Sequence, residues 1–134
     1  MITSNKTIRV RYDEVDRMGF VYHGNYLKYF HIGRTQLLRN LGICDITLEN
    51  QNIIMPVIEL DIRYIKPAFY DEKITVTTSL EGVYGIKMRF RHFVTNEQKE
   101  IISNGNSVLA FVNSRTRKPV RIPKSIIRKL QSIV

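Results

Sequence analysis

Between residues 57 and 112 the chain alternates apolar and polar side chains in four consecutive stretches, with no helical pattern between them. A period of two sends neighbouring side chains to opposite faces, so each stretch predicts a strand with one buried face. In Val57 to Lys66, the residues Ile58, Leu60, Ile62 and Tyr64 fall on one face, and Glu59, Asp61 and Arg63 on the other. Ile74 to Leu80 sets Ile74, Val76, Thr78 and Leu80 against small hydroxyl residues. A tight connection from Gly82 to Gly85 leads to Ile86 to Val94, where Met88, Phe90 and His92 share a face. A turn over Thr95 to Lys99 precedes the fourth stretch, Ile101 to Val112. Strands joined by short turns pair antiparallel, and a meander with one helix ahead of it belongs to the α+β class.

That helix is written at spacings of three and four: Tyr26, Tyr29, Phe30, Gly33, Leu37 and Leu41 lay one apolar stripe along it. Asn25 is its expected N-cap and Gly42 its C-terminal stop. Gly33 lies on the stripe, where glycine costs roughly 1 kcal/mol relative to alanine, so the close approach of another backbone is expected there. Residues 7–13 alternate as a first strand, residues 43–52 read as a loop, and residues 123–134 as a short helix with Ile126, Ile127, Leu130 and Ile133 on one side. One long helix wrapped by a curved antiparallel sheet is the hotdog architecture. Its helix covers one face, so the opposite face and the edges are expected to need a partner, as in a dimer.

No linker, repeat or low-complexity segment divides residues 1–134, so a single domain is expected, long enough for a real core. No apolar run approaches the roughly 18 residues that suggest a membrane span. The N-terminus lacks the apolar core of a signal peptide, and a cytoplasmic location is the default. The single cysteine, Cys44, has no Cys or His partners at metal-ligand spacing. The net charge of +9 is the compositional outlier. It attracts polyanions without choosing among nucleic acid, anionic membrane and phosphorylated cofactors. From residue 114 onward the basic residues have no aromatic among them, which disfavours base stacking, and no zinc-finger or RNA-recognition signature is present.

The stretch from Tyr12 to Tyr26 carries the candidate chemistry. Asp13, Glu14 and Asp16 crowd a loop, Gly19 lets it turn, and a helix opens just beyond. A carboxylate beside a helix N-terminus pairs a general base with unpaired amides that favour a developing oxyanion, as acyl hydrolysis requires. The bland reading of Asp16 is a turn or capping acid. Asp13 and Glu14 read as surface acids at a strand end. Tyr12, Tyr26 and Tyr64 read first as core or interface aromatics.

The pattern Tyr12-x-x-x-Asp16-x-x-Gly19-x-Val21-x-His23-x-x-Tyr26 resembles the 4-hydroxybenzoyl-CoA thioesterase-like hotdog acyl-CoA thioesterases of bacteria. The resemblance continues through Arg34, Tyr64-Ile65-Lys66-Pro67-Ala68, Tyr70-Asp71 and Arg117-Lys118-Pro119-Val120-Arg121-Ile122-Pro123. It implies an antiparallel dimer, paired again into a homotetramer, with active sites at the dimer interface. Asp16 would be the catalytic carboxylate, either activating water or attacking the thioester to form a mixed anhydride. The amide of His23 would polarise the thioester carbonyl, and Gly19 would turn Asp16 toward it. Tyr26 and Tyr64 would line the substrate site, and Arg117, Lys118 and Arg121 would clamp the coenzyme A phosphates. No metal or redox cofactor is implied; coenzyme A enters as part of substrate and product. Acyl carrier protein thioesters are a second substrate class, and a non-catalytic acyl-CoA-binding module is the rival reading.

The sequence departs from that family in the helix. Many relatives carry a glutamate where this chain has His31 and an alanine where it has Gly33, and no acid occurs from Asn25 to Leu41. The carboxylate chemistry therefore falls to Asp16. His31 either lines the acyl pocket or fills the glutamate's structural place.

Overall fold

The computed structural model describes residues 2–131. Strand β1 (Ile2–Arg9) is followed by one 3-10 turn at Tyr12–Glu14, a loop, helix α1 (Asn25–Asn40) and helix α2 (Asp45–Asn50). The rest is β2 (Ile53–Ile54), β3 (Val57–Tyr64), β4 (Lys73–Tyr84), β5 (Lys87–Thr95), β6 (Ile101–Ala110), β7 (Val112–Asn113) and helix α3 (Lys124–Gln131). Five strands form one antiparallel sheet in the order β1-β4-β5-β6-β3, and β2 pairs with β7. Helix α1 lies across β1, β4 and β5, which is the hotdog arrangement.

Several boundaries differ from expectation, and β4 runs to Tyr84, through most of the connection expected over Gly82 to Gly85. The first strand is Ile2–Arg9 rather than residues 7–13, and the expected loop over residues 43–52 contains α2. The fourth stretch breaks at Phe111, between β6 and β7. Ile133 of the expected C-terminal stripe lies outside the described residues.

Helix α1 ends in a Schellman motif. The amide of Ile43 donates to Leu38 O at 2.8 Å and that of Gly42 to Arg39 O at 2.9 Å, with Gly42 at φ +77°. Beneath the helix the apolar core falls into two clusters. Tyr26, Tyr29 and Phe30 pack with Val10, Val21, Ile74, Val76 and Val94. Leu37 and Leu41 pack with Leu80, Phe90, Phe111, Ile122 and Ile126.

A buried polar chain runs between them. Arg34 Nη1 donates to Ser107 Oγ (3.2 Å), Ser107 bonds His92 Nε2 (2.8 Å), and His92 Nδ1 bonds Thr78 Oγ1 (3.1 Å). Arg34 can only donate to Ser107, and the two His92 bonds engage both ring nitrogens, one as donor and one as acceptor. His92 is fully buried and stacks on Phe30 with ring centroids 4.4 Å apart. Burial, then the charges of Arg34 and Arg91, push its pKa down to about 3, so it packs as a neutral ring. Gly33 admits this layer. A Cβ there would meet Thr78 Oγ1 at 2.3 Å and Val76 Cγ1 at 2.8 Å, so side chains of β4, not a backbone, account for the glycine.

The opposite face of the sheet, expected to meet a partner, is polar rather than apolar. It presents hydroxyl and amide side chains that pair across strands, including Thr3–Ser79 (3.1 Å), Thr7–Thr75 (3.2 Å) and Thr77–Asn5 (2.7 Å). The unsatisfied feature is the edge strand β3. Its alternation promised one buried face, yet Ile58, Leu60 and Tyr64 are exposed and only Ile62 reaches the core. At an edge, one chain has no layer to cover that face.

Candidate active site

The loop between the 3-10 turn and α1 is held by Glu14. Its backbone carbonyl accepts the Tyr22 amide (2.9 Å) and the Asn25 side-chain amide (2.8 Å). Asn25 therefore does not cap the helix; Gly24 occupies the cap position, with no side-chain bond. Glu14 is itself buried, against the expectation of a surface acid. Its carboxylate accepts the Arg11 amide at 2.8 Å and Lys28 Nζ at 2.7 Å. Burial alone would raise its pKa; the Lys28 hydrogen bond, the Arg11 amide and the Lys28 charge outweigh it and hold the group below its ordinary value. Tyr12, in contrast, stays exposed, edge-on to Tyr70.

Asp16 is half-buried within this frame. Its Oδ1 accepts the amides of Met18 (2.9 Å) and Phe20 (3.3 Å), and Gly19, at φ +83°, donates its amide to Asp16 O at 3.0 Å. One oxygen is thus spent on the turn that orients the carboxylate. No hydrogen bond among the described residues engages Oδ2.

At the start of α1, Asn25, Tyr26 and Leu27 donate their amides to Tyr22, His23 and Gly24 carbonyls. Among the described residues, the amides of His23 and Gly24 have no acceptor, and they sit at the positive end of the helix dipole. The His23 ring is exposed and lies against Tyr22, centroids 4.3 Å apart, while the His23 carbonyl accepts the Tyr64 hydroxyl at 3.1 Å.

A cavity of about 330 Å³ brings Asp16, His23, Tyr26 and Tyr64 together, with Phe20, Val21, Ile65, Lys66 and Pro67 completing its wall. Tyr26 is buried between Tyr29 and Tyr64, and that burial raises its phenol to about 12. Lys66 carries an ion pair with Glu100. The sequence pattern did not single out Lys66 or Phe20 as wall residues: Phe20 is tied to Asp16 by the bonds of their own loop, and Lys66 is brought near by the Phe20–Phe69 bridge and the bond from the Val21 amide to Ala68 O (2.8 Å).

The basic residues lie elsewhere in the chain. Asn113 Oδ1 accepts the amides of Arg115 and Thr116, which folds residues 113–118 into a turn that exposes Arg117 and Lys118. Arg121 lines a second cavity, beside α3. None of these three lines the Asp16 cavity of its own chain. His31 is exposed outside that cavity, and Arg34 Nη2 lies 3.5 Å from its Nδ1. No group of three or more His, Cys, Asp or Glu among the described residues is arranged to hold a metal. None of the described helices is long and apolar enough to cross a membrane.

A helix laid over an antiparallel sheet, with a loop carboxylate near its uncapped N-terminus, defines a hotdog-fold protein of the thioesterase type. Residues 10–130 match the thioesterase-like superfamily. The Bacillus subtilis protein YneP, whose name assigns it provisionally to the acyl-CoA thioesterases, is 35% identical over 93% of this chain and 91% of its own. The acyl-CoA thioesterase YbgC of Haemophilus influenzae is 32% identical over 89% of this chain and 88% of its own. The crystal structure of a DHNA-CoA thioesterase from Staphylococcus aureus superposes with a TM-score of 0.90 at 33% identity, covering 99% of this chain and 93% of that one. The chain belongs to the thioesterase-like superfamily, and by family it is a thioester hydrolase.

Proposed function

We propose that the protein hydrolyses acyl-CoA thioesters at the Asp16 cavity. The observation that carries this reading is the pairing, in one cavity, of an oriented carboxylate whose Oδ2 is uncommitted with His23, whose amide at the helix start is unbonded. The thioester oxygen sits at the His23 amide, which stabilises the negative charge as the carbonyl carbon becomes tetrahedral. Asp16 either removes a proton from the attacking water or attacks the carbon itself. In both routes the C–S bond breaks and the thiol leaves with a proton; the acid's new oxygen comes from water in the direct route and from Asp16 in the other, where water then opens the anhydride at the Asp16 carbon and restores the carboxylate. The names of the relatives support coenzyme A as the thiol, and the exposed cations Arg117 and Lys118 suit its phosphates or an acidic carrier protein.

The cavity opens beside the exposed edge of β3, where Tyr64 and Ile65 form part of its wall. A second copy paired along β3 would cover Ile58, Leu60 and Ile65 and complete the site, which supports a dimer. Pairing of dimers into a tetramer through the outer sheet face would be a polar contact, given its threonines and asparagines.

Thiol release over a panel of acyl-CoAs, with wild type beside Asp16→Asn, tests the reading. Turnover that collapses in the variant is expected, and near-wild-type turnover removes Asp16 from the chemistry. Single turnover in heavy-oxygen water then separates the routes: a direct water attack labels the first acid released, whereas a mixed anhydride opened at the Asp16 carbon leaves it unlabelled.

A further inference from the structure

Helix α3 stands against the end of the β4–β5 hairpin and leaves a second cavity of about 920 Å³ between them. A β-bulge creates the room. The register passes from Leu80–Phe90 to Gly82–Arg89, so Glu81 is extra, and a bulge bends the strand it interrupts. The walls are apolar, chiefly Leu80, Val83, Ile122, Ile127 and Leu130. Leu80 and Ile122 belong to the core cluster under the C-terminal half of α1 and Val83 and Leu130 pack on it, whereas the Asp16 cavity rests on the cluster under the N-terminal half. The buried chain from Arg34 to Thr78 lies between the two.

Two cations, Arg121 and Lys124, stand on the wall of this second cavity, and no acidic residue lines it. Both are exposed, and neither has an ion-pair partner among the described residues. An apolar groove of ligand size with charges of one sign on its wall suits an amphiphile with the opposite charge on its head. We infer that this cavity binds a single-chain fatty acid, its alkyl tail among Leu80, Val83, Ile127 and Leu130 and its carboxylate at Arg121 and Lys124. The guanidinium fork of Arg121 matches the two carboxylate oxygens. The assignment rests on this cavity and is independent of the reaction at Asp16.

Calorimetric titration of the whole protein with octanoate, decanoate and dodecanoate, each below its micelle threshold, tests it. Saturable binding is expected, tightening roughly three- to fourfold per added methylene, the increment that transfer of one methylene from water provides. Ile127→Trp fills the cavity from a side chain already 37% exposed and is expected to weaken dodecanoate at least tenfold. Leu130→Ser serves the same purpose if the larger residue is not tolerated, with thermal melting as the check on folding. Arg121→Ala combined with Lys124→Ala should weaken dodecanoate but leave dodecanol unchanged, while Asp16→Asn should bind as wild type does. Absent or unsaturable binding overturns the proposal, as does binding indifferent to both wall variants or lost in Asp16→Asn. A change in sedimentation on Ile127→Glu would also overturn it, because the wall would then be covered by a second copy of the chain.

Discussion

The side-chain amide of Asn25 donates to the backbone carbonyl of Glu14 at 2.8 Å, tying the first residue of α1 to the residue that begins the Asp16 loop. The same carbonyl accepts the Tyr22 amide, so a single oxygen sets the spacing between carboxylate and helix end. Catalysis by a positioned base depends steeply on such spacing. Asn25→Ala is expected to lower kcat by roughly 10- to 100-fold, the order lost when a reacting group is displaced by about an ångström, with a smaller change in KM. Asn25→Asp should be worse, because it turns a carboxylate oxygen toward the Glu14 carbonyl. Steady-state kinetics on one good thioester check both, and retained wild-type kcat in Asn25→Ala would remove the positioning role.

The Glu14–Lys28 pair gives the loop an acid sensitivity. The folded pKa of Glu14 lies below its ordinary value, so its contribution to stability is present above about pH 4.5 and is lost as pH falls through the folded value. Lys28→Met leaves the carboxylate buried with only the Arg11 amide to hold its charge. The expected cost is about 1–2 kcal/mol at neutral pH, less than the loss of a wholly buried partner because the Lys28 side chain is itself 48% exposed. The acid unfolding midpoint should move to higher pH. Circular dichroism across a pH series reads this, and an unmoved midpoint would show that the pair carries nothing.

The meander and the α1 stripe were legible because a buried face imposes its period on the sequence, and Met88, Phe90, Val94, Tyr26, Phe30 and Leu37 all obey it. β1 was displaced because it is an edge strand: only Ser4 is buried among its eight residues, and its pairing to β4 relies on backbone and hydroxyl bonds. α2 is six residues long with Leu48 alone buried, too short to show a helical period. β3 misled in the other sense, since its alternation is that of a covered strand while no layer of its own chain covers it. At the site, Asp16, His23 and Tyr26 stand in one motif and Tyr64 in another, and the four share a cavity. Glu14 could not be told from Asp13, because its burial comes from Lys28, fourteen positions later, and from the packing around Tyr29.

His92 predicts a second pH effect, with its own window. Its folded pKa of about 3 is well below the 6.5 of an unfolded histidine, so the unfolded chain takes up a proton first as pH falls. The stability it contributes is full above pH 6.5 and declines from there toward pH 3, by at most about 1.4 kcal/mol per pH unit for one proton. His92→Gln keeps a polar group in the layer without a titrating ring. Its stability at neutral pH should be lower, but between pH 6.5 and 5 it should fall less steeply than the wild type. Urea unfolding at several pH values measures the two slopes, and parallel slopes would contradict a neutral buried ring.

Gly33 and Thr78 set the packing distance between helix and sheet. An added Cβ at residue 33 would lie 2.3 Å from Thr78 Oγ1 and 2.8 Å from Val76 Cγ1, too close for either to give by a small rotation. Gly33→Ala gains about 1 kcal/mol in helix propensity but must lift α1 from β4, and overpacking of this kind costs about 1–3 kcal/mol. A net loss of up to about 2 kcal/mol is expected, with the thioesterase reaction slowed if the lift reaches the helix start. Thr78→Ala alone should also destabilise, by leaving His92 Nδ1 without its partner. Combining the two removes the oxygen that clashes with the new methyl, so the double variant should be more stable than the two separate losses would give. Chemical denaturation of the four proteins yields the coupling directly. Strict additivity would mean that Gly33 answers to something other than Thr78.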